Sequence, residues 1–155
     1  LNVFLTEAPD PQPAIWMQIH GGSDAPRRAR RSVLSQLAGQ LAEGGAADLA
    51  LIISELVTNS VRHANVGPQE TLTVECATLP DRLRVTVTDP GSRLQPHLRS
   101  PDRQAPGGRG LRVVDSLSSA WGVEHGPAGT TSVWCELPVG HPAALPPHRQ
   151  DDDVA

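Results

Sequence analysis

Glu55, Asn59 and His63 fall at i, i+4 and i+8 of one segment. At about 100° per residue a helix stacks such positions in a single row. A carboxylate and an amide oxygen one turn apart can hold a hydrated Mg²⁺ and a water or hydroxyl beside it. Mg²⁺ needs few protein oxygens when phosphates complete its shell. An ordinary polar i,i+4 pair, worth about 0.2–0.5 kcal/mol, has the same spacing, so the pair alone decides nothing. His63 reads most simply as a helix-end histidine favoured by the dipole.

Three later segments add to this row. The stretch RLRVTVTD ends in Asp89 and is followed by Pro90 and Gly91. A carboxylate at a strand end can accept a hydrogen bond from an exocyclic amine such as that of adenine, and Gly91 lets the backbone approach the ring. Alone, Asp-Pro-Gly is a turn signal. Gly107, Gly108 and Gly110 come just before a helical pattern. Their backbone N–H groups can converge on an anion at a helix N-terminus, and Arg109 adds a charged contact. Alone, such glycines equally make a hinge. Thr130 heads the run TTSVWCEL, where its hydroxyl can reach a base or a water, or serve only as a β-favoured residue.

The elements that must position these groups follow from periodicity and punctuation. Residues 13–20 predict a strand with Ile15, Met17 and Ile19 on one face. A helix then runs from a cap at Ser23 or Asp24 to about Glu43, with Ala29, Val33, Leu37 and Leu41 inward and Gly44-Gly45 as its stop. Asp48 caps a second helix ending near Ala64, whose apolar stripe is Leu49, Ile53, Leu56, Val57, Val61 and Ala64. Strands 70–78 and 82–89 form a hairpin around Pro80-Asp81. Residues 90–109 form a long loop, which in a small domain is functional or disordered. A third helix starts near Arg109, and strands 120–125 and 130–137 close the domain. This order does not alternate as βαβα. It predicts an α+β, two-layer α/β sandwich: a mixed, mainly antiparallel sheet with three helices on one face. Residues 1–12 read as a flexible leader, 13–138 as the single domain and 139–155 as a disordered acidic tail.

Composition narrows the chemistry. All 13 basic residues are arginine. The absence of lysine excludes a P-loop lysine, a Schiff-base lysine and a kinase of the eukaryotic type, so a phosphate must be held by backbone N–H groups, arginine or a metal. A net charge of −4 and four aromatic residues argue against a nucleic-acid partner. Arg27, Arg28, Arg30 and Arg31 read as a solvated helix face. Cys76 and Cys135 do not make a zinc site, and the sequence carries no signal peptide and no membrane-length apolar run. The expectation is a cytoplasmic protein with buried, reduced thiols and no membrane partner.

Taken together, the four segments resemble the GHKL ATPases, and specifically the small bacterial anti-sigma regulatory factors that are also serine/threonine kinases. ELVTNSVRHA matches their N-box, TDPG the first glycine box, GGRGL the second and GTTSVW the closing strand. The resemblance implies a histidine-kinase-like ATP-binding domain over 13–138, with ATP and Mg²⁺ as cofactors and 90–109 as a lid. It implies Glu55 as general base and Asn59 as Mg²⁺ ligand. Asp89 and Gly91 would stand at the adenine, Gly108, Arg109 and Gly110 near the phosphates, and Thr130 near the base. Ser92 and Arg93 depart from the second glycine that many members carry after the first box. The implied partners are a sigma factor and an anti-anti-sigma antagonist, with homodimers common. The residues show no phosphoacceptor-histidine segment or dimerising hairpin of a sensor kinase. An ATP-dependent binding switch without phosphotransfer is the alternative.

Overall fold

The computed structural model describes residues 14–91 and 108–138, the side chains of 108 and 109 excepted. In chain order the elements are β1 (Ile15–His20), α1 (Ala25–Gln36), α2 (Gly45–His63), β2 (Thr71–Thr78), β3 (Arg82–Asp89), α3 (Gly108–Leu117), β4 (Ala120–His125) and β5 (Thr131–Pro138). Residues 1–13, 92–107 and 139–155 lie outside the described residues, and with them the expected leader and tail, most of the expected lid, and Ser92 and Arg93.

The five strands lie in the order β1-β2-β3-β5-β4, and all four pairings are antiparallel. Alternation makes one face apolar. Leu72, Val74 and Cys76 on β2, Leu83, Val85 and Val87 on β3, and Cys135 and Leu137 on β5 are all buried. The helices cover this face with Ala29 and Val33 of α1, Leu49, Ile52, Ile53, Leu56 and Val57 of α2, and Val114 of α3. The result is the two-layer sandwich with three helices that the sequence predicts. Burial pushes the thiols of both Cys76 and Cys135 up to about 12, so neither is a ready nucleophile at neutral pH.

The other sheet face is held by polar and aromatic cross-strand contacts. The Arg84 guanidinium lies 4.1 Å from the Trp134 ring centroid and pairs with Glu136 at 3.5 Å and Glu124 at 3.6 Å. Thr88 and Ser132 hydroxyls meet at 2.8 Å.

Two helix boundaries differ from the sequence expectation. The first helix ends at Gln36 rather than Glu43, and the chain turns through Gly39 at φ +78°. Leu37 is nevertheless buried and Leu41 packs on the core. Their four-residue spacing is kept by burial in turns and not by helix. α2 starts at Gly45 from a left-handed Gly44, which places Asp48 in its first turn, where it favours the dipole, and not at the cap. The other end matches closely. Arg62 and His63 sit in the last turn, and Asn65 at φ +52° stops the helix.

Because α2 lies across the sheet with Leu56 fully buried, Leu56→Ala is expected to cost about 2–5 kcal/mol in urea denaturation. Leu51→Ala, at a side chain 45% exposed on the same helix, should stay within about 0.5 kcal/mol.

Candidate functional site

The polar edge of α2 faces α3. Glu55 and Asn59 are half-buried, whereas His63 is exposed at the helix end. Gly110, in the first turn of α3, is buried directly above them. A Cβ there would collide with Glu55 Oε2 and come within 3.4 Å of Asn59 Oδ1 and 3.5 Å of Asn59 Nδ2. A bare glycine leaves the carboxylate and the amide undisturbed beneath α3, where a side chain would make the Glu55 carboxylate move aside. The structure therefore gathers Glu55, Asn59 and Gly110 at one place. Gly108 begins α3, and Arg109 follows it with a side chain outside the described residues.

A second cluster forms at the end of β3. Asp89 continues the inward parity of Leu83, Val85 and Val87, so its carboxylate enters the sandwich and is only 6% exposed. Its Oδ1 accepts the Gly91 N–H at 2.9 Å. Gly91 adopts φ +79°, and a Cβ on it would run into the Gly129 carbonyl, with the Thr130 nitrogen 3.6 Å away. This close approach seats the end of β3 against the turn Pro127–Gly129.

Burial raises the Asp89 pKa above the ordinary carboxylate value. The Gly91 N–H, the Ser60 hydroxyl and the charges of His63 and His125 act in the opposite direction. Desolvation thus outweighs the donors and charges gathered around the carboxylate.

Thr130 is near Gly91 through its backbone, but its hydroxyl donates to the Pro127 carbonyl at 3.2 Å. Thr131 is the residue paired with Asp89 across the sheet, and it shares Asp89's face, 3.4 Å from His125 Nδ1. Thr131 thus opens β5 opposite Asp89, and Thr130 lies just before it at the end of the turn Pro127–Gly129.

Ser60 is the residue that sequence reasoning passed over. It is 2% exposed and sits next to Asn59 on the inward side of α2. A signal was available: Leu49, Ile52, Ile53, Leu56, Val57 and Ser60 follow one helical stripe, so a hydroxyl occupies an apolar position.

These observations test whether a magnesium nucleotide suits the residues. The donor set offers one carboxylate and one amide oxygen, in keeping with a cation that draws most of its ligands from phosphates and water. Glycine clears the space above them, and a buried carboxylate with acceptor capacity stands one helix face away. The fit is good. At the opposite end of the sandwich a separate crevice is lined mainly by Leu41, Leu49, Leu83, Leu117 and Leu137, with Asp48 as the one charged residue in its lining.

Comparison with known proteins points the same way. No curated protein matches the chain. Among solved structures, the Erythrobacter litoralis blue-light activated histidine kinase aligns at 28% identity with a TM-score of 0.48, over 61% of this chain and 30% of that one. The histidine kinase domain of the E. coli osmosensor EnvZ aligns at 18% identity with a TM-score of 0.41, over 90% of this chain and 97% of that one. The chain thus spans less than a third of the length of the Erythrobacter kinase. The family model of the histidine kinase-like ATPase domain matches residues 23–134, which hold α2, the end of β3 and α3, and the chain belongs to that family of ATP-binding domains.

Proposed function

We propose that the chain is an ATP-dependent anti-sigma regulatory factor, acting in the cytoplasm, that phosphorylates a serine or threonine on an anti-anti-sigma antagonist. The observation that supports it is the convergence of Glu55 and Asn59 under Gly110, on the helix whose next residue abuts Asp89. That arrangement holds a base-reading carboxylate and a candidate proton acceptor on one rigid helix–sheet unit. The sigma factor and the antagonist as partners, and a homodimeric state, come from the resemblance of the motifs.

When bound, MgATP supplies the transferable phosphoryl group, and its cation offsets the phosphate charge. The chain's own residues do the rest. Asn59 contributes an amide oxygen to the cation. Asp89 accepts the exocyclic amine of the base, and Gly91 leaves the base room against the backbone. Glu55 would take the proton of the substrate hydroxyl. The resemblance would set Gly108, Arg109 and Gly110 near the phosphates. Catalysis of this kind is mostly positioning and charge stabilisation, which suits a site with so few ionisable groups.

Asn59→Ala is expected to weaken ATP binding about tenfold or more in the presence of Mg²⁺, the effect of one charge-assisted contact, and to leave Mg²⁺-free binding nearly unchanged. Calorimetry with and without the cation reads the difference.

Glu55→Gln should bind MgATP within about twofold of the wild type yet slow transfer of labelled phosphate to the antagonist by about 10²–10⁴-fold. Transfer by Glu55→Gln at the wild-type rate would remove the kinase assignment. Partner binding that still needs ATP, with no transfer by the wild type, would establish the binding switch instead.

Asp89 gives a pH prediction. Its folded pKa lies above the unfolded value of 3.8, so its destabilising contribution is fully present above the folded pKa and vanishes as pH falls to 3.8. Apo Asp89→Asn should melt at a temperature equal to or higher than the wild type at pH 7, and the gap should close on acidification through that window.

A further inference from the structure

Two serines of α2 behave differently, and the difference points to a ligand. Ser54 is tied up: its hydroxyl donates to the Ala50 carbonyl one turn back at 2.8 Å and receives Arg30 Nη1 at 3.1 Å. A serine inside a helix ordinarily satisfies itself in this way. Ser60 does not. Its Oγ is shielded from solvent and has no formed hydrogen bond among the described residues, although it lies close enough to Asp89 to favour the ionised carboxylate. Leaving a hydroxyl buried and unsatisfied is costly, and a native chain that does so usually holds the group for a purpose.

Resting on the ATP-binding reading above, we propose that Ser60 is a specificity-determining residue. Its hydroxyl is the donor, beside the Asp89 acceptor, in a pair that reads the Watson–Crick edge of a 6-aminopurine. Adenine presents a ring-nitrogen acceptor next to an exocyclic amine donor, which is the complement of a serine O–H next to a carboxylate. A 6-oxopurine presents a ring N–H donor next to a carbonyl acceptor. It would set its carbonyl against the carboxylate and leave Ser60 facing an N–H. The positions of both groups are fixed by packed elements. Ser60 lies on the buried face of α2, and Asp89 at the end of β3 is held by the Gly91 N–H. Asp89 also feels His63 at the end of α2 and His125 on β4, and the comparison is therefore made at one pH.

The test is a cycle between Ser60→Ala and removal of the ring nitrogen from the nucleotide, read by calorimetry with MgATP and its 1-deaza analogue. The expected result is an affinity loss of about tenfold for ATP, with the analogue bound by wild type and Ser60→Ala within about twofold of each other. Apo Ser60→Ala should melt close to the wild-type temperature, because the hydroxyl makes no formed hydrogen bond in the fold and only its weak interaction with Asp89 is lost. Ser60→Cys, near-isosteric but a weak donor, should match Ser60→Ala. Unchanged ATP affinity in Ser60→Ala, or equal losses for ATP and the analogue, would overturn the proposal and leave the ATP-binding reading standing. Failure of the wild type to bind MgATP at all would overturn both.

Discussion

Burying a carboxylate is among the more expensive things a small domain can do, and Asp89 is buried at the inner end of β3. Much of the local structure is arranged around it. The alternation of β3 points it inward. The left-handed Gly91 returns a backbone N–H to its Oδ1 and seats the strand end against the Gly129 carbonyl. α2 crosses above with Ser60 facing it, and β4 brings His125 into range. These donors and charges offset part of the desolvation and leave the carboxylate still raised above its ordinary pKa.

The same helix serves both ends of the site. Its apolar stripe anchors it to the sheet through Leu49, Ile52, Ile53, Leu56 and Val57. That anchorage fixes the height of Glu55 and Asn59 at the edge of the stripe. A helix resting on a full apolar face cannot rotate without exposing it, so the polar row keeps its aim. Gly110 leaves the Glu55 carboxylate in place beneath α3, where a side chain would displace it. Packing, close approach and chemistry are thus coupled through few positions.

Much of this was legible in the sequence. The strand alternation of β2 and β3, the i,i+4 row on α2 and the glycine punctuation predict the sandwich, because each reflects local geometry with a fixed period. Three features were not legible, each for a physical reason. The early end of α1 escapes because Leu37 and Leu41 keep helical spacing while burial, not helix, holds them. The pairing of Asp89 with Thr131 depends on the register of β5 against β3, which a single residue of slippage reverses. Ser60 was read as part of a motif when its position in the apolar stripe marked it as buried. A polar residue at a core position is the signal to look for.

The central claim, that MgATP sits between the polar edge of α2 and the end of β3, is tested most directly by following backbone amide resonances of the labelled protein during an MgATP titration. The account predicts the largest saturable shifts at Asn59, Ser60, Asp89, Gly91 and Gly110, with Leu41, Leu83 and Leu137 at the far end nearly still. Shifts centred on the far crevice, or no saturable shifts at all, would contradict it.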